Sequence, residues 1–213
     1  MLILGARGFA KEVLEIFSQL NQLENIAFYD DISADAPGLL FSRFPVLKSI
    51  VDAELAFVKD PRFVLGVGNP RIRRLLTEKM KGIGGQLTSS ISPKAVIGNF
   101  NNIIGMGVNI MTGTVITNDV QIGNGVLINL NCTIGHGVVI DDYCEISPGV
   151  HVSGNVQIGK NAVVGTGAVL LPGVSIGENS IIGAGSVVTK NIESNVIAVG
   201  VPAKIIKIIS KQY

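Results

Sequence analysis

One period governs more than a third of this chain. Starting at Ile104 and stepping by six, the residues are Ile104, Ile110, Ile116, Ile122, Ile128, Ile134, Ile140, Ile146, Val152, Ile158, Val164, Leu170, Ile176, Ile182 and Val188. All are aliphatic. A spacing of six would scatter around an α-helix, so an amphipathic helix is excluded. Two places before many of these lies a small side chain, as at Thr114, Cys132, Ala162, Ala168, Ser180 and Ser186. A turn residue closes most hexads, as at Gly125, Gly137, Gly149, Asn155, Gly167 and Gly173. A large inward residue, a small corner residue and a turn at a fixed period specify a parallel β-solenoid. The register slips by one residue near Ile97-Gly98, so the first coil is expected to be irregular.

Residues 1–90 follow another rule. Short apolar strands are expected at Met1–Leu4, Asn25–Tyr29 and Phe63–Val67, with helices at Phe9–Leu20 and from Pro70 to Lys81. Ile72, Leu75, Leu76 and Met80 form the expected apolar stripe of the second of these helices. A further helix is expected at Leu47–Val51, and one strand at Gln86–Ile91. Strands alternating with helices imply a small Rossmann-like parallel sheet. The expected domains are therefore α/β over 1–90, the solenoid over 91–191 and a C-terminal cap over 192–213. A solenoid needs both ends covered.

With 17 basic and 16 acidic residues and no basic block, nothing marks a nucleic-acid surface. The start lacks a basic, continuously apolar leader, and no stretch approaches the length of a membrane span. Two cysteines, Cys132 and Cys144, suit a reduced cytoplasmic interior. The hexads resemble those of left-handed β-helix acyltransferases, where three make a coil of eighteen residues; on that coil a spacing of twelve puts the two cysteines on different sides, so no disulfide is expected.

The chain has two histidines. His136, in Gly135-His136-Gly137, falls on a turn two places after inward Ile134, where an imidazole can project and accept a proton near neutrality. Eighteen residues on is Gly154, whose backbone N–H is placed to meet a developing oxyanion. His151 precedes inward Val152 and should point outward from a flat face. Two histidines fifteen residues apart do not make a zinc site, and no metal is expected. In the first domain, Gly5-Ala-Arg-Gly8 follows a strand and opens a helix, an arrangement that admits phosphate. Asp30-Asp31 and Gly66-Val-Gly68-Asn69 also sit where parallel strands end. Each also fits a plain turn or a solvated acidic pair.

The order GARGFAKEV, YDD, FVLGVGNPRIR, hexapeptides with a Gly-His and a terminal VGVPAK resembles a family over essentially the full chain. It is that of the sialic-acid O-acetyltransferases and bacillosamine-pathway N-acetyltransferases of bacterial glycan biosynthesis. The resemblance implies a left-handed β-helix, a homotrimer and acetyl-CoA bound between subunits. It implies a UDP-linked aminosugar held by Gly5, Gly8, Phe9, Asp30, Asp31 and Asn69. It also implies His136 as general base, Gly154 as the main-chain contact to the acetyl carbonyl, and Thr166 and Ala184 along the pantetheine channel. Lys204 would approach the coenzyme's phosphates. Two positions depart from the pattern. An acidic residue follows the histidine in some members, where this chain has Gly137. A second histidine comes nine residues on in many, where this chain has Glu145. Glu145 either polarises His136 from a neighbouring subunit or faces solvent. The implied reaction is acetyl transfer to a UDP-4-amino-4,6-dideoxy sugar. The alternatives are acetyl transfer to a sugar or sialic-acid hydroxyl, and a non-catalytic nucleotide-sugar-binding protein.

Overall fold

The computed structural model describes residues 1–33 and 35–209. From residue 90 the chain winds around a three-sided prism, a left-handed parallel β-helix. Its two-residue strands run from Ser90–Ile91 (β7) to Val187–Val188 (β23) and fall in turn on three faces. The first face carries Asn109–Ile110, Leu127–Ile128 and Glu145–Ile146; the second carries Val115–Ile116, Thr133–Ile134 and His151–Val152. The third carries Gln121–Ile122, Val139–Ile140 and Gln157–Ile158. Within each strand the second residue points in. Every aliphatic residue of the register from Ile110 to Val188 is buried, and only Ile104, at the open first coil, is partly exposed. The small residues Thr114, Cys132, Ala162, Ala168, Ser180 and Ser186 are all fully buried at the corners, where bulk would not fit. The six turn residues named above all have positive φ, between 60° and 74°. Five are glycine and one is asparagine, the residues that tolerate that region best.

Register explains the slip near Ile97. Ile122 pairs with Ile104, eighteen residues away, but Ile116 pairs with Ile97, nineteen away. The extra residue lies in the corner between the second and third faces, and asparagines knit it. Phe100 N–H donates to Asn118 Oδ1, and Asn102 Nδ2 donates to the carbonyls of Gly98 and Thr117. All three face sheets continue past it. Cys132 and Cys144 are buried, free thiols.

The first domain consists of β1 (Leu2–Leu4), α1 (Gly8–Gln19), β2 (Ala27–Tyr29), β3 (Leu39–Leu40), β4 (Phe44–Leu47), α2 (Ile50–Lys59), β5 (Arg62–Leu65), α3 (Pro70–Lys81) and β6 (Gln86–Leu87). The sheet order is β3-β4-β2-β1-β5-β6, parallel except for β3 against β4. Chain order reverses direction across the sheet at β1, so the crevice for a ligand opens between the carboxyl ends of β1 and β5.

Three sequence expectations give way here. Residues 44–47 form a strand beside β2, and the helix expected at Leu47–Val51 begins only at Ile50, where Ser49 caps it by accepting from Asp52 N–H. Gln86–Ile91 divides into β6, which joins the α/β sheet, and β7, which joins the first face of the prism. The stripe of α3 is not the aliphatic one. Pro70, Arg73, Thr77 and Met80 are buried, while Ile72 and Leu75 are exposed. The helix packs on a polar rim of the solenoid as well as on its own sheet. Arg73 Nη2 donates to the carbonyls of Tyr143 and Cys144, each at 2.7 Å.

The α/β domain seats on the first face. Ile16 of α1 packs with Met111 and Leu127, and Asn109 Nδ2 donates to the Leu65 carbonyl at 3.0 Å. At the far end, β24 (Val196–Val199) extends the first-face sheet and β25 (Lys204–Ile208) folds back antiparallel against it.

Candidate active site

The turn after Thr133–Ile134 places His136 on the edge between the second and third faces. Its side chain is exposed and makes no hydrogen bond among the described residues. One coil further on, the same edge carries Gly154. A Cβ built on Gly154 would stand 2.6 Å from His136 Nε2 and 2.7 Å from Cε1. The imidazole therefore lies on the bare face of the glycine, in space that only glycine leaves open. The coils are tied here: Asn155 N–H donates to the His136 carbonyl at 2.8 Å. The N–H of Gly154 itself has no acceptor among the described residues. A free N–H recurs at this turn position, as at His136; what is particular to Gly154 is the imidazole above it. A base and an oxyanion donor thus share one small region of edge.

Thr166 and Ala184 are also stacked one coil apart and exposed, but on the edge between the first and second faces. They stand a whole face away from His136. Lys204 opens β25 at the end of the first face and is exposed. His151 points outward on the second face, where its Nδ1 lies 2.8 Å from Thr133 Oγ1. A groove of about 550 Å³ runs along the third face, lined by Val139, Gln157, Ser175 and Gly177, and includes neither His136 nor Gly154.

Gly5, Gly8 and Asn69 gather at the crevice of the α/β sheet. Gly5 has φ +102°, and a Cβ there would stand 2.9 Å from Val67 Cγ1, so the β1 and β5 loops touch. Gly8 is the first residue of α1, with open space above it. Phe9 is half-buried and packs toward Ile16, Met111 and Leu127 at the domain junction. Asn69 caps α3, its Oδ1 accepting from Ile72 N–H at 3.1 Å. The aspartates at the end of β2 are less free than the sequence suggests. Asp30 is buried, and its Oδ1 accepts from the N–H groups of Ile32 and Ser33. Asp31 is ion-paired with Lys79 of α3; burial raises its carboxyl, but Lys79 and Tyr29 together hold it below the usual carboxylate range. Across the mouth, Arg7 pairs with Asp35 and reaches Ser33 Oγ, a link the sequence did not announce.

Glu145 faces neither His136 of its own chain nor open solvent. It points out from the first face onto the β5 loop, with Oε1 3.4 Å from the position of a Cβ on Gly68. Burial pushes its carboxyl above the usual range, and the Arg73 guanidinium pulls it back. Arg73 is wholly buried, and that burial brings it down to about 10. Its spacing with Pro70, Thr77 and Met80 was the available signal, hidden by the more apolar Ile72 and Leu75.

Residues 1–80 match the family model described as PglD N-terminal domain, and residues 119–154 and 155–190 match that of the bacterial transferase hexapeptide. No curated protein sequence matches the chain. Among solved structures, PerB from Caulobacter crescentus, in complex with CoA and GDP-perosamine, is 32% identical with TM-score 0.88, covering 97% of this chain and 96% of its own. The acetyltransferase domain of PglB from Neisseria gonorrhoeae, in complex with acetyl coenzyme A, is 32% identical with TM-score 0.88, over 96% and 98%. The chain belongs to this family of hexapeptide-repeat sugar acetyltransferases. WeeI from Acinetobacter baumannii, 32% identical with TM-score 0.85 over 96% and 98%, is similar to it as well. As a member of the family, the chain is an acyltransferase. Among the described residues no cluster of His, Cys, Asp and Glu could hold a metal ion, and no helix is long and apolar enough to cross a membrane.

Proposed function

We propose that this protein transfers the acetyl group of acetyl-CoA to the amine of a UDP-linked 4-amino-4,6-dideoxy sugar. The observation that carries the reading is the His136 imidazole lying on Gly154 beside an unpaired backbone N–H. The amine attacks the thioester carbonyl, forming the C–N bond. His136 Nε2 accepts the proton that the nitrogen sheds, and the Gly154 N–H holds the oxyanion. Collapse breaks the C–S bond, and the coenzyme A thiolate leaves, taking up a proton. Gly5 and Gly8 line the diphosphate side of the acceptor crevice, with Phe9 behind them at the domain junction, and Asp30, Asp31 and Asn69 form its rim. Thr166, Ala184 and Lys204 serve the coenzyme. PerB holds GDP-perosamine, so a guanine nucleotide is the second reading for the acceptor's base.

The reading requires more than one copy. His136 stands on the edge opposite the face that carries the acceptor crevice. The base of one subunit therefore acts on the sugar held by another, in a homotrimer. Val96, Phe100, Ile103 and Met106, exposed around the first coil, are the apolar surface expected of such an assembly. Both substrates are cytoplasmic metabolites, and the protein is placed in the cytoplasm with them.

The test is thiol release from acetyl-CoA against UDP- and GDP-linked amino sugars and their hydroxy counterparts. Release with amino sugars alone is expected, and His136→Ala should cost at least ~100-fold in kcat while coenzyme binding persists. Release with hydroxy sugars alone would convert the reading to O-acetylation. Silence with nucleotide sugar bound would leave a binding protein.

A further inference from the structure

The acceptor crevice has a wall from the solenoid. The diphosphate site lies at the start of α1, with Asp30 and Asp31 to one side, at the end of β2. To the other side, at the end of β5, lie Gly66–Asn69 and, against Gly68, the Glu145 carboxylate. A nucleotide sugar lying across the switch point with its nucleoside toward β2 sends its sugar toward β5, and so toward Glu145. The carboxylate is half-buried and has no hydrogen-bond partner among the described residues; burial raises it, and the more distant charge of Arg73 lowers it. A desolvated carboxylate without a donor is costly unless something fills that role. Arg73 does not do so: Nη2 is committed to the Tyr143 and Cys144 carbonyls, and Nε and Nη1, though buried without partners, make no hydrogen bond to the carboxylate. Gly68 leaves this side of the carboxylate uncovered, since a Cβ there would sit in van der Waals contact with Oε1 at 3.4 Å.

We propose that Glu145 is the specificity-determining residue for the amino group of the acceptor: its carboxylate receives the sugar's ammonium in the crevice of its own chain. This inference rests on the reading of the protein as an aminosugar acetyltransferase. An ammonium supplies three donors and the compensating charge, whereas a hydroxyl supplies one donor and none. The acetylated product is a neutral amide and loses the ion pair, which favours its release. The role differs from orienting His136. Glu145 belongs to the acceptor side and takes the first proton, which leaves the neutral amine to attack; His136, from another subunit, takes the second as the C–N bond forms.

The test is calorimetry on the full-length protein with CoA present. UDP- and GDP-linked 4-amino-4,6-dideoxy sugars are compared with the matching 4-hydroxy sugars, in wild type, Glu145→Gln and Glu145→Asp. Wild type is expected to prefer the amino sugar by about ten-fold or more, as a charged hydrogen bond implies. Glu145→Gln, nearly the same shape, should bring the preference close to parity and leave affinity for free UDP or GDP unchanged. Glu145→Asp, which restores the charge, should recover part of it. A preference undiminished in Glu145→Gln overturns the assignment while leaving the transferase reading intact. Wild type that binds no nucleotide sugar overturns both.

Discussion

Replacing Gly154 with alanine isolates the base from the rest of the machinery. The new Cβ would stand 2.6 Å from His136 Nε2, where ordinary contact needs ~3.5–4.0 Å. The ring must retreat by about 1 Å, and a displacement of that size at a reacting group costs on the order of 100-fold in rate. The main chain should be indifferent. Gly154 lies outside the left-handed region, and its N–H, the oxyanion donor, survives the substitution. His136 is exposed, so moving its ring disturbs no packing. Removing a glycine can even stabilise by up to ~1 kcal/mol through the unfolded chain. The expected result is a melting temperature equal to or slightly above wild type, with kcat for thiol release about 100-fold lower. Adding Gly154→Ala to His136→Ala should cost little more, since both remove the same function. Gly154→Ala with kcat within about threefold of wild type would refute the reasoning, as would full additivity of the two substitutions.

Two further outcomes follow from burial. Arg73→Met should lower stability by roughly 3 kcal/mol, because the Tyr143 and Cys144 carbonyls lose a charged donor inside the domain junction; chemical denaturation measures it, and an unchanged midpoint would deny the junction any role. Burial pushes the Cys144 thiol up to about 12 and raises Cys132 as well, so both stay protonated at neutral pH. A chromogenic disulfide reagent should find no fast thiol in the native protein and two per chain after unfolding, which also leaves the coenzyme A signal clean.

Much of this molecule was legible in its sequence because a solenoid repeats one local decision. The inward Ile and Val, the small corner residues and the positive-φ turns recur every six residues and need no tertiary information. His136 over Gly154 followed once the resemblance supplied a coil of eighteen residues, since the coil length fixes what lies above what. The α/β domain was harder because its partners are not local. Phe44–Leu47 became a strand because β2 offered an edge to pair with, and Arg73 became a core residue because two carbonyls of a distant corner needed a donor. For Glu145 the sequence left two readings, His136 of a neighbouring subunit or solvent, and neither pointed to the α/β domain. Only the seating of the α/β domain on the first face gives it Gly68 for a neighbour.

The seven-residue step near Ile97 has a meaning for how such a chain changes over generations. It lies on the edge that later carries His136, and all three sheets continue past it without a lost rung. Length variation is therefore absorbed at an edge, with asparagine side chains satisfying the extra backbone, while the aliphatic pillar keeps its stacking. His136 hangs from this same edge two coils on, exposed and outside the aliphatic pillar. A turn that lengthens on that edge moves what the edge presents while the stacked strands on either side keep their pairing.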